Sequence, residues 1–458
     1  MQLIILKIKS MSKLAIFGGK PIREKLFKAY NTIGFSEIFN VIKVMKSGVL
    51  SQFIGAWHKD FYGGPMVQKF EKKWAEKAKA KFAVSVNSNT SGLITALGAA
   101  NVRPSDEVIV SPWSICASAT APMFWGGIPV FADIDPTTFC ISPKSIREKI
   151  TPRTKVILVV HIMGYPAQMN EIMAIAKEFN LVVIEDCAQC PFGVYQGKPL
   201  GSIGDMGVFS TNYHKHIHTG EGGIITTNSE YYNERCQLIR NHGEAVVEDK
   251  GVEDKSNIVG FNFRMGEIEA AIGIEQIKKF DSLQKKRLSN ANYLIEKLKD
   301  IEYLDLMDYK SCYCLRGDPC RPCVSKCSHS YYIQPILYLK EKNNNIHRDI
   351  YLKALSAELP SSFLREDIPL IGGGYVKPLY LLPIFKNKLG NFYNNDPENY
   401  DYSLGSCPVV ENLHFEKFIG HEFMRPSMSR NDLDDVVKAF YKVDDNMNEL
   451  LRNINELS

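Results

Sequence analysis

The chain has 458 residues, beyond the size at which one hydrophobic core usually stops growing, so two domains are expected. Apolar residues make up 45% and charged residues 23%, the balance of an ordinary globular protein rather than a disordered or fibrous one. The net charge of +4 is too small and too evenly spread to build a nucleic-acid surface, and no apolar run reaches the roughly 18 residues of a membrane span.

The opening MQLIILKIKS has an apolar patch and two lysines but no long apolar core and no small-residue cleavage site, so it makes a poor signal peptide. Met11 opens a more regular segment, SKLAIFGGKPIREKLF; residues 1–10 read as an upstream start, and a cytoplasmic location is expected. Residues 65–79 place Val67, Phe70 and Trp74 at helical spacing. The strand FAVSV is followed by Ser88-Asn89-Thr90-Ser91-Gly92, which opens a helix at about residue 91. Glu107–Ser111, Ile128–Ala132, Lys155–Val160 and Leu181–Glu185 are near-continuous apolar runs, the signature of strands covered on both faces of a parallel sheet. Helices at about 143–150 and 167–179 lie between them, which gives a doubly wound α/β pattern. A long helix over 264–300 leads into a second region with a strand-like YYIQPILYL, a Gly-Gly-Gly turn at 372–374 and a closing helix from Asn431. The expected division is a large domain, 1–285, and a smaller C-terminal α/β domain, 286–458.

Ligands in open α/β sheets bind beyond the carboxyl ends of the strands. Asp186 follows the strand Leu181–Glu185, Trp113 follows Glu107–Ser111, and the Lys215 loop follows Asp205–Phe209. Lys215 stands in FSTNYHKHIHTGEGG, with Ser210 five residues before it and a glycine-rich run after it. A lysine in such a setting can carry an aldehyde cofactor as a Schiff base. Pyridoxal phosphate needs a lysine, an acid facing its ring nitrogen, a donor to its phenolic oxygen, a phosphate cradle and a flat partner for the ring. Lys215, Asp186, Gln189, the Ser88–Gly92 turn with Ser210, and Trp113 are the candidates, with Ile115 competing for the last role. Asp186 is also the kind of residue that caps a helix, and a tryptophan at a strand end is more often core. The helix that opens after Ser88 offers backbone N–H groups and a positive end to a dianion.

Taken together, SNTSGL, IEDCAQ, GxxxGxxGDxxxFS at 197–210, HKHIHTGEGG and GFNFRMGEIEAAIGIEQ resemble the DegT/StrS family of pyridoxal-phosphate sugar aminotransferases. The likeness runs from about Lys13 to the C-terminal helix. It implies the fold type I of pyridoxal-phosphate transferases and a homodimer with shared active sites. It further implies that Lys215 bears the cofactor, Asp186 meets the ring nitrogen and Gln189 the ring oxygen. Thr90, Ser91 and Ser210 would bind the phosphate, and Asn262 would reach the phosphate in the partner subunit. Arg264 is a candidate for a substrate anion. Relatives with histidine in place of the lysine are dehydratases, so Lys215 points to transamination.

The departure from the family is CYCLRGDPCRPCVSKCSH at 312–329. Cys312, Cys314, Cys320, Cys323 and Cys327, with His329 nearby, resemble metal ligation more than a disulfide frame. Zinc is favoured over an iron–sulfur cluster because it staples a loop and needs no redox partner. The other six of the eleven cysteines read as reduced core thiols. The activity the resemblance implies is transfer of an amino group from glutamate or glutamine to a keto sugar, nucleotide-linked, with no nucleic-acid or membrane partner. Two alternatives stay open: a dehydratase, or a cyclitol or aminohydroxybenzoate-type enzyme, which the opening LAIFGGKPIR resembles. Retention of the lysine, aspartate and glutamine together argues against a regulator that only senses the cofactor.

Overall fold

The computed structural model describes residues 13–307, 328–367, 369–389 and 400–453. In chain order the first strands are β1 (Phe82–Val86), β2 (Glu107–Val110), β3 (Ile128–Phe131), β4 (Thr154–Val160), β5 (Val182–Asp186), a small hairpin β6 (Val194–Tyr195) and β7 (Lys198–Pro199), then β8 (Met206–Ser210) and β9 (Gly223–Thr227). Seven of them form one sheet in the order β1-β9-β8-β5-β4-β2-β3. Six run in one direction, and β9 alone runs in the other, between β1 and β8. The apolar runs expected as strands are β2 to β5. β9 escaped the reading, because GIITT follows β8 after a loop that holds no helix. Without a crossover helix the chain must return antiparallel.

Helices cover the sheet. Helix α1 spans Phe35–Ser47, α2 spans Pro65–Ala78 and α3 spans Asn89–Ala99. Val67, Phe70, Trp74, Ala75 and Ala78 form the buried stripe of α2. That stripe faces the helix Glu267–Leu298, where an added Cβ at Gly273 would lie 2.5 Å from the Phe70 ring. Helix α3 is apolar all round because the sheet covers one side and the helix Glu230–Arg240 the other. Gly92 lets it press onto β8: a Cβ there would lie 2.7 Å from Val208 Cγ1.

A second sheet holds β10 (Leu304–Asp305), β11 (Gln334–Tyr338), β12 (Ile371–Gly373) and β13 (Phe418–His421), all antiparallel, in the order β10-β11-β13-β12. Its core joins Ile336, Leu355, Ile419 and Phe440 to Leu294 and Leu298 of the long helix. Leu14 and Phe27, from near the start of the chain, pack into the same core. Glu358 holds them there: it accepts from Ala15 N at 2.8 Å and Ile22 N at 3.2 Å, and pairs with Lys442 at 2.8 Å. The helix Glu267–Leu298 is continuous through position 285/286 and contributes Ala270, Ile274 and Phe280 to the first core.

The Gly-Gly-Gly stretch is a correction. Gly372 and Gly373 are strand residues paired with Gly420 and Ile419, and the chain turns only at Gly374, where φ is +69°. Gly373 is bare because Arg348 lies against it, with Nε 2.6 Å from where a Cβ would sit. Of the cysteines expected in the core, Cys140, Cys187, Cys190, Cys236 and Cys407 are buried free thiols, while Cys116 is exposed. Cys312, Cys314, Cys320, Cys323 and Cys327 lie outside the described residues. Among the described residues, no helix is long and apolar enough to cross a membrane.

One buried carboxylate ties the middle of the large sheet together. Glu185, in β5, accepts hydrogen bonds from Gly201 N at 2.9 Å, Ile203 N at 2.8 Å, Gly204 N at 2.7 Å and His161 Nε2 at 3.0 Å. It thereby fastens β4 and β5 to the turn that leads into β8. Glu185→Ala should strip buried donors of their acceptor and cost about 3 kcal/mol or more, measured by equilibrium urea unfolding.

Candidate active site

Asp186 is the last residue of β5 and is 1% exposed. Its Oδ1 accepts from Ala188 N at 3.1 Å and Asn89 Nδ2 at 3.4 Å, and its Oδ2 accepts from Ser118 Oγ at 3.4 Å. These donors are neutral. Burial pushes the carboxyl above its ordinary range, against the backbone donor at Ala188 and the more distant charge of Lys215. A buried carboxylate so lightly held suits a cationic N–H partner.

Lys215 lies in the loop between β8 and β9. Its backbone N donates to Asn212 O at 2.9 Å, and Ser210 Oγ accepts from Asn212 N at 3.2 Å. The neck of the loop is closed by Thr219 N to Thr211 O at 2.8 Å and by a 2.8 Å contact between the two threonine hydroxyls. The glycines that follow are required by space. At Gly222, with φ +157°, a Cβ would lie 2.4 Å from Thr211 Oγ1; at Gly223 it would lie 2.5 Å from Ser88 O. Gly223 therefore lets β9 run directly under the turn that opens α3. Burial lowers the Lys215 amine below the usual lysine range, while Tyr375, Asp186 and Glu422 pull it back up. The lysine reaches Tyr332, with Nζ 3.4 Å from the phenol oxygen and 4.4 Å from the ring centroid.

The α3 turn is built by Ser88, whose Oγ accepts from Ser91 N at 3.0 Å. Ser91 Oγ donates to Asn87 Oδ1 at 2.5 Å, and Thr90 is exposed. Asn89 Oδ1 is buried without a hydrogen-bond partner among the described residues. Free N–H groups and the positive end of an 11-residue helix converge here, at the same edge as Ser210 and Asp186. Gln189 has its amide orientation set by the backbone. Its Oε1 accepts from Met163 N at 2.6 Å, which leaves Nε2 as the outward donor, 2.8 Å from Tyr375 Oη.

Other candidates fall elsewhere. Trp113 is 0% exposed, its Nε1 donates to Val376 O at 2.9 Å, and its ring meets Phe418 and Phe139 edge-on. It is a core residue with no open face, which corrects its place as a ring partner. Ile115, two residues on, is 51% exposed. Asn262 is exposed and accepts from Arg264 Nε at 2.7 Å. Its segment does run beside the α3 turn, since Asn87 N donates to Phe263 O at 2.9 Å. His216 is buried with Nε2 donating to Ser330 O at 3.0 Å, and burial keeps His214, His216 and His218 below the ordinary histidine range. His161, Glu185 and Cys187 lie close enough together for a metal, yet His161 Nδ1 accepts from Ala167 N and Glu185 is taken up by the donors described above. Tyr332 and Tyr375 went unread in the sequence. No spacing connects them to Lys215; they arrive from the second half of the chain.

The acid, the buried amine, the oriented amide donor and the helix turn form one donor and acceptor set that fits pyridoxal phosphate. The model of the DegT/DnrJ/EryC1/StrS aminotransferase family matches residues 54–320. The chain belongs to that family. The spore coat polysaccharide biosynthesis protein SpsC of Bacillus subtilis is 30% identical over 415 residues, covering 89% of this chain and 94% of the relative. The GDP-perosamine synthase of Escherichia coli O157:H7 is 39% identical over 225 residues, covering 49% of this chain and 61% of the relative. Among solved structures, NtdA of Bacillus subtilis with bound cofactor PMP superposes with a TM-score of 0.71 at 26% identity, covering 92% of this chain and 86% of that one. The protein is an aminotransferase of the pyridoxal-phosphate class, with the α/β fold type I expected of it.

Gly223 tests whether the α3 turn receives a phosphate. Gly223→Ala places a Cβ against Ser88 O and displaces the α3 turn. Affinity for pyridoxal phosphate should fall about tenfold or more, with far less change for pyridoxal, which lacks the phosphate. Equilibrium dialysis of the apoenzyme with each compound measures both.

Proposed function

We propose that this aminotransferase moves the amino group of glutamate or glutamine onto the keto carbon of a nucleotide-linked sugar. The observation that carries the reading is the pairing of Lys215 with Asp186. One is an amine depressed by burial beyond β8, the other a buried carboxylate at the end of the neighbouring strand β5. The sugar class rests on the relatives, one named for polysaccharide biosynthesis and one for GDP-perosamine synthesis.

Asp186 would face the ring nitrogen, Gln189 Nε2 the phenolic oxygen, and Thr90, Ser91 and Ser210 the phosphate. Ile115 would cover the ring. When bound, the cofactor supplies an electron sink that makes the carbon beside the nitrogen acidic. Lys215 then has two duties: to bear the cofactor at rest, and to carry a proton on Nζ between donor and acceptor carbons once displaced. An amine below the ordinary lysine range keeps a larger neutral fraction near pH 7, which suits it to accept that proton. Asp186, with its neutral donors, would keep a proton on the ring nitrogen and so preserve the sink. Lysine rather than histidine at 215 favours amination over dehydration.

Borohydride reduction of the holoenzyme should fix the cofactor on Lys215, seen as a mass shift of its peptide. Lys215→Ala should lose that label and at least about a thousandfold in kcat. Incubated with nucleotide keto sugars and either donor, the enzyme should release the oxoacid in step with aminated sugar. Loss of a sugar hydroxyl instead would end the reading in favour of dehydration.

A homodimer completes the proposal. Its support is the outer face of α1, where Phe35, Ile38, Phe39, Ile42 and Met45 are all exposed, Phe35 at 91%. A contiguous apolar stripe of this kind marks an interface. Phe35→Asp combined with Phe39→Asp should convert a dimer into a monomer in sedimentation velocity. A dimer that persists would place the contact elsewhere.

A further inference from the structure

Ser328 to Tyr332 lead into β11, and they are stitched to the Gln189 and Lys215 sides of the site. Ser330 N donates to Gly164 O at 2.9 Å, and Ser330 Oγ to Gln189 O at 2.7 Å. Ser330 O accepts from His216 Nε2, in the Lys215 loop, at 3.0 Å. Tyr332 N donates to Met163 O at 3.1 Å, and Met163 N is the donor that orients Gln189. Gly164 permits this closeness: with φ +96°, it would carry a Cβ 2.3 Å from Ser330 Oγ. The Tyr332 side chain is thereby set against the lysine, with its oxygen 3.4 Å and its ring centroid 4.4 Å from Nζ.

We propose that Tyr332 is a positioning residue for Lys215, holding the amine at the pocket and favouring its protonated over its neutral form. This rests on the reading of Lys215 as the cofactor-bearing lysine. A hydroxyl that accepts from an ammonium makes a charge-assisted bond, roughly twice as strong as one that donates to a neutral amine. The ring face attracts the ammonium as well. Tyr332 acts as a neutral phenol, since burial pushes its hydroxyl well above the tyrosine range. The other groups facing Lys215 are Asp186 at the end of β5, Tyr375 beyond β12, Glu422 beyond β13, and His214 and His216 in its own loop. The carboxylates and Tyr375 act in the same direction as Tyr332, and burial keeps the histidines neutral. Arg425 and Arg287 face Tyr332 itself; Arg425 is paired with Glu366 at 2.6 Å and with Glu422, and Arg287 Nη1 donates to Tyr331 O at 3.0 Å. The effect of Tyr332 is to return to the lysine part of the proton affinity that burial removes, so that Nζ takes up a proton and holds it in place until it is passed on.

The test is the pH dependence of Lys215 acetylation in the apoenzyme by trace acetic anhydride, read by peptide mass spectrometry. Tyr332→Phe keeps the ring and loses the hydroxyl; the midpoint for Lys215 should fall by about one pH unit. Replacing Tyr332 by 3-fluorotyrosine preserves shape and folding while weakening the oxygen as an acceptor, and should lower the midpoint in the same direction by less. A midpoint that is unmoved or raised in either folded protein overturns the proposal. Failure of borohydride to label Lys215 would instead remove the reading of the lysine itself, and the two results are read independently.

Discussion

A carboxylate with no access to water, Glu185, holds the centre of this protein. Its two oxygens take three backbone N–H groups of the turn before β8 and one imidazole N–H from the end of β4. Desolvating a charge is costly unless hydrogen bonds replace its water, and here they do. The consequence reaches outward. β5 and β8 are held side by side in register, so their last residues, Asp186 and Ser210, share one edge. β9 then pairs with β8 and brings Gly223 beneath the Ser88 turn. The acid, the lysine loop and the helix terminus are therefore set by one scaffold rather than by three independent loops.

Burial acts on the two ionisable groups of the pocket in opposite senses, and both serve the same chemistry. It raises Asp186 and lowers Lys215, so each is less charged than it would be in water. A cofactor that brings a ring N–H and an aldehyde meets both needs. The phenols of Tyr332 and Tyr375 reach the same site. One touches the amine and the other the Gln189 amide, so the second half of the chain closes the site that the first sheet opens.

The apolar runs that became β2 to β5 were legible because strands covered on both faces lose their polar alternation. The α3 turn, Asp186, Gln189 and Lys215 were legible as chemistry at strand ends. Trp113 was misplaced because a strand end looks the same in sequence whether its aromatic residue turns inward or outward; here it fills the core under Phe418. β9 was missed for want of a crossover helix to mark it. Gly372 and Gly373 read as a turn, although both pair within β12 and the space beside Gly373 is taken by Arg348. Tyr332 and Tyr375 carried no signal, since neither stands at a motif spacing from Lys215.

The sequence by itself determined the alternation of strands and helices, the residue types a pyridoxal-phosphate site needs, and lysine rather than histidine at 215. Those are local properties, written in periodicity and in motif spacing. Tertiary structure alone decided which aromatic residues face the lysine, which glycines are bare for want of room, and how far burial moves the amine and the acid. These depend on contacts between segments more than a hundred residues apart, such as Tyr332 with Lys215. No window along the chain contains both partners, so only the folded packing brings their chemistry together.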